Sequence, residues 1–76
     1  MKLYAGGHLD FYLPNRRSRV EIELKAPTRL SEVLAGLGLP LAEVHLTVVN
    51  GQMVDLQAAI VFGQDEVKLY PAVNGG

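Results

Sequence analysis

One stretch of this chain carries the apolar spacing of a helix: Leu30, Val33, Leu34 and Leu37 recur at i, i+3, i+4 and i+7. The clearest apolar patterns on either side alternate with a period of two, as half-buried strands do. A single amphipathic helix has to lay its apolar stripe on a sheet, which confines the chain to two layers, one helix over one mixed sheet. Thr28, following Pro27, stands where it can cap the helix start. Gly38 can close the helix in a left-handed conformation, and Pro40 bars its continuation.

Residues 2–5 read as a short strand ended by Gly6-Gly7. Leu9, Phe11 and Leu13 then alternate with His8, Asp10 and Tyr12, a pattern open to two readings: a strand continued past a glycine bulge, or an irregular apolar loop stopped at Pro14. From Arg19 to Lys25 a second strand is expected, with Val20, Ile22 and Leu24 on one face. After the helix, Val44, Leu46 and Val48 define a strand whose other face holds His45, Thr47 and Val49. Asn50-Gly51 is hairpin-turn chemistry, because both positions tolerate positive φ. Met53-Val54 should pair back, and Val67 to Tyr70 form a last strand stopped by Pro71. The order is strand, strand, helix, strand, short strand, strand, with a domain over 1–71 and a tail over 72–76.

Composition removes several functions. There is no cysteine, hence no disulfide staple, no thiolate metal site and no redox side chain. Seven Lys and Arg against eight Asp and Glu leave a net charge of −1, too little field to draw a phosphate backbone or an anionic membrane. No apolar run approaches the ~20 residues of a membrane span, so a cytoplasmic protein, monomeric when free, is expected. Asp55, Asp65, His8 and His45 have no spacing that makes an acid–base pair or a metal site. A protein that is not itself an enzyme, with no bound cofactor and no metal, is the expectation. Arg16, Arg17 and Arg19 read as a solvated basic turn.

The element order is that of the β-grasp, the ubiquitin-like α+β fold with four or five strands and one main helix. Three segments, Val49-Asn50-Gly51 with Val54-Asp55, Gly63-Gln64-Asp65-Glu66-Val67, and the closing Pro71-Ala72-Val73-Asn74-Gly75-Gly76, resemble the small sulfur carriers typified by MoaD and ThiS. That resemblance implies a carrier whose Gly76 carboxylate is adenylated by an ATP-dependent activating enzyme, ATP being the enzyme's substrate, and then converted to a thiocarboxylate. Gly75 leaves room in a narrow channel, and Ala72, Val73 and Asn74 serve as the spacer that threads the partner.

Val49 and Tyr70 fall on the outward parity of their strands, and in the family that face docks on the activating enzyme and on a sulfur-accepting synthase subunit. Molybdopterin or tungstopterin synthesis is favoured. Carriers for thiamine or cysteine synthesis, a ubiquitin-like modifier of lysines, and a non-covalent interaction module remain alternatives.

Overall fold

The first and last strands of the chain lie side by side. In the computed structural model, which describes residues 1–72, β1 (Lys2–Ala5) pairs in parallel with β7 (Glu66–Pro71), placing Leu3 opposite Val67 and Ala5 opposite Leu69. All four of these side chains are buried. β2 (Arg19–Glu21) pairs antiparallel with the other edge of β1. β4 (Val44–Val49) pairs antiparallel with β7 and with β5 (Gln52–Val54). The order across the five-stranded mixed sheet is β2-β1-β7-β4-β5, and a separate two-stranded ladder joins β3 (Thr28–Arg29) to β6 (Ile60–Val61). This is a ubiquitin-like β-grasp, as the order of elements implied.

Helix α1 (Leu30–Leu37) covers one face of the sheet. Leu30 and Leu34 are fully buried, and Val33 and Leu37 pack beside them against the same core as Leu3, Val67 and Leu69. Gly38 ends the helix at φ 80°, and its N–H reaches the carbonyls of Leu34 and Ala35. The expected cap is different. Thr28 lies one residue outside the N-cap, in β3, and its hydroxyl donates to the Ala26 carbonyl at 2.9 Å. Arg29 is the N-cap and offers no side-chain bond, while the Leu30 N–H donates to the Ala59 carbonyl at 3.0 Å. A strand partner thus satisfies the helix start in place of a hydroxyl.

The segment after Gly6 resolves as a 3-10 turn, Gly7–Tyr12, rather than a strand. With about three residues per turn, Leu9 is buried and Tyr12 partly so, with Leu13 buried just beyond, while Phe11 is left 57% exposed. A strand would have put Leu9, Phe11 and Leu13 on one side. The second strand is also shorter than its alternation. Ile22 and Leu24 keep to the core side, but the ladder stops at Glu21, beyond which the Ile22 N–H donates to the carbonyl of Met1. The Met1 ammonium in turn donates to the carbonyls of Ile22 and Gly63.

Three polar residues hold the turns. Asn50 and Gly51, at φ 51° and 83°, make the expected tight turn between β4 and β5. The Asn50 side chain donates to Asp65 and accepts from the Glu66 N–H, both at 2.9 Å, while Asp65 also accepts from the Phe62 N–H at 2.8 Å. Asp55 accepts the Gln57 N–H at 2.9 Å and stabilises the turn leading to β6.

Two stability outcomes follow from this packing. Leu34→Ala should cost about 2 to 5 kcal/mol, the range for removing a buried leucine, and a urea midpoint close to the wild type would place Leu34 outside the core. Asn50→Ala should cost about 1 to 2 kcal/mol, from two lost hydrogen bonds and a left-handed alanine. If that turn clamp is real, Asp65→Ala in the same background should add less than it does alone, as a double-mutant cycle in urea would read.

Candidate functional site

Among the described residues nothing covers the sheet face opposite α1. Pairing register assigns its members, because residues directly opposite one another point to the same side. Arg19 and Glu21 come from β2, Lys2 and Tyr4 from β1, Glu66, Lys68 and Tyr70 from β7, Leu46 and Val48 from β4, and Met53 from β5. The face is charged toward β2, where Lys2, Tyr4, Arg19, Glu21, Glu66 and Lys68 line a shallow groove. Toward β5 it turns apolar, from Tyr70 through Leu46 and Val48 to Met53, which is 75% exposed.

Tyr70 lies on this outward face, as its parity required. Val49 does not. It pairs with Val67 and packs against the core, and Thr47, on the same side, is buried opposite Leu69. The cause is a register shift between Val44 and Leu46: Val44 sits opposite Pro71 and Leu46 opposite Tyr70, so His45 is an extra residue in β4. A one-residue insertion resets the alternation, and Val44 and Leu46 end on opposite faces although they are two apart. Leu46 and Val48 take the outward places expected for Thr47 and Val49.

β7, the central strand, ends at Pro71 beside the Gly7–Tyr12 turn. The Gly6 N–H donates to the Leu69 carbonyl at 2.8 Å. At Gly7, with φ +54°, a Cβ would stand 2.7 Å from Pro71 Cγ, so this approach admits only glycine. Ala72 is exposed just past the strand. Val73, Asn74, Gly75 and Gly76, which carry the rest of the expected tail site, lie outside the described residues.

Around this end of β7 stand aromatic and cationic groups that alternation alone did not bring together. The rings of Tyr4 and Tyr70 are 6.0 Å apart, and the guanidinium of Arg19 lies 5.1 Å from the centre of Tyr4. Arg16 lies 4.8 Å from the centre of Phe11, whose ring meets Tyr12 edge-on at 5.3 Å. His8 Nε2 is 3.5 Å from Glu43 Oε2 at the surface, a contact of small energetic weight. The signal for the Tyr4–Arg19 contact was the hairpin itself, which sets those residues opposite each other. Nothing in the sequence spacing signalled Phe11 with Arg16.

Asp55 and Asp65 are engaged in turns, His8 and His45 are exposed, and no group of three or more His, Cys, Asp or Glu among the described residues could hold a metal ion. No helix among them is long and apolar enough to cross a membrane. Among the described residues the arrangement is that of a small domain with one uncovered sheet face and its central strand ending at Pro71.

No curated protein matches the chain. The family model described as Mut7-C ubiquitin matches it over residues 1–75. This ubiquitin-like family fits the MoaD/ThiS-type likeness without being the MoaD or ThiS family itself, and the match accords with the strand order, the single helix and the central last strand. The chain belongs to the Mut7-C ubiquitin family.

Proposed function

We propose that this ubiquitin-like domain is a sulfur carrier, activated at the Gly76 carboxylate by an ATP-dependent enzyme and donating sulfur in cofactor synthesis, with the molybdopterin or tungstopterin type favoured. The observation that carries the reading is that β7, the central strand, ends at Pro71 next to outward-facing Tyr70, and that Ala72-Val73-Asn74-Gly75-Gly76 follows it in the sequence. The strand anchors the tail's origin, and the glycines lack side chains that would obstruct a narrow channel.

In this reading a carboxylate oxygen of Gly76 attacks the α-phosphorus of ATP and pyrophosphate leaves. A hydrosulfide equivalent then displaces AMP from the acyl adenylate, giving the thiocarboxylate. The domain supplies the acyl group and the docking face, and the partner supplies the catalysis. A synthase subunit would accept the sulfur. Thiamine or cysteine synthesis and lysine modification begin from the same adenylate and differ in what consumes it.

A second reading, a non-covalent interaction module, is favoured by the apolar outward side chains, Met53 above all, since their docking needs no activated tail. Pyrophosphate exchange into ATP, measured with the activating enzyme, separates the two. Deleting Gly76 should abolish exchange; exchange persisting at the wild-type rate would remove the tail from the chemistry. Tyr70→Lys should weaken binding to that enzyme about tenfold, as for loss of an aromatic interface anchor, with the melting transition retained. Unchanged affinity would place the docking face elsewhere.

A further inference from the structure

We propose that Arg16, Arg17 and Arg19 form a cationic clamp beside the exit of the tail, built to receive a carboxylate-rich segment of a partner protein. The proposal rests on the docking reading above, and it names the chemistry that the partner must present.

Three of the seven basic residues of the chain fall within four positions, and all three are exposed. Among the described residues none of their side chains has an ion-pair partner or a side-chain hydrogen bond; the one acid–base contact there is His8 with Glu43. Two of the three are nevertheless placed. Arg16 lies over Phe11 and Arg19 over Tyr4, within the distance at which a ring face attracts a cation. A ring contact positions a guanidinium while leaving its N–H groups without acceptors, so the hydrogen-bonding fork remains available to a carboxylate. Consecutive positive φ values at Asn15 and Arg16, 57° and 53°, reverse the chain after Pro14. Non-glycine residues adopt that conformation at a cost, and such strain concentrates at binding sites.

Location ties the clamp to the tail. The Ala5 N–H donates to the Ser18 carbonyl at 2.7 Å, holding the arginine turn at the end of β1, and β1 runs parallel to β7. Tyr4, under Arg19, is itself packed against Tyr70. A partner that follows the tail from Pro71 and covers Tyr70 would meet these guanidiniums. Carboxylate is favoured over a nucleic-acid phosphate backbone because the basic patch is short. Asp10 lies in the preceding Gly7–Tyr12 turn, Glu21 and Glu66 line the same groove as Arg19, and the net charge of the chain is −1.

The probe is a hexaglutamate peptide, titrated into the whole chain at low salt while the side-chain Nε–Hε signals of arginine are followed by NMR. Arg29, at the start of α1, is the fourth arginine and the internal control. Signals from Arg16, Arg17 and Arg19 should move together while Arg29 stays. Replacing Arg16 and Arg19 with Gln should weaken binding about fivefold, the scale of two exposed charge pairs. Phe11→Leu keeps every charge and should still weaken it about threefold, since Arg16 loses its ring. Shifts no larger than those of Arg29, or full affinity in Phe11→Leu with an intact amide spectrum, would overturn the clamp. Tighter binding of an oligothymidylate at the same arginines would overturn the carboxylate assignment. The titration needs no activated tail, so failure of the clamp and failure of the carrier reading are separately visible.

Discussion

The parallel pairing of β1 with β7 is the contact on which the remainder of this molecule depends. It sets the final strand in the middle of the sheet, with β1 and β2 on one side and β4 and β5 on the other. Leu3, Ala5, Val67 and Leu69 point from it to the helix and form the floor on which Leu30 and Leu34 rest. Parallel strands cannot be joined by a tight hairpin, so the entire chain between them, helix included, is the crossover. The same pairing brings the end of β1, with its Gly6-Gly7 turn, against the end of β7, and thereby decides which groups surround the start of the tail.

Much of this was legible in the residues. Helix α1 runs from Leu30 to Leu37 as its spacing indicated, because those four apolar side chains have no other way to share a core and Gly38 supplies the stop. The turn at Asn50-Gly51 and the strand ending at Pro71 were readable for equally local reasons. What was not legible depended on partners. Val44, Leu46 and Val48 alternate without interruption in sequence, yet the extra residue His45 turns the first away from the other two. Since the outward positions Leu46 and Val48 are as apolar as the inward Val44 and Val49, hydrophobicity held no trace of the inversion. Glu23 and Lys25 continue an alternating pattern past Glu21, where the ladder with β1 ends.

The three segments that carry the likeness to sulfur carriers divide by role once their contacts are known. Asn50, Asp55 and Asp65 hold turns together through hydrogen bonds. That part of the likeness reports the fold. The proposed function rests on the segment from Pro71 onward, of which Ala72 is the last described residue. On the outward face Tyr70 joins the apolar side formed by Leu46, Val48 and Met53 to the cationic side formed by Tyr4 and Arg19, and this is the face proposed to meet a partner.

Intact-protein mass spectrometry decides whether Gly76 is the reacting residue. The chain is incubated with its activating enzyme, ATP and a sulfur donor, then fragmented to localise any change. The expected result is a mass gain corresponding to one oxygen replaced by sulfur, confined to Gly76. A mass that never changes while the enzyme activates another carrier, or a chain recovered only in covalent linkage to lysines of other proteins, would contradict it.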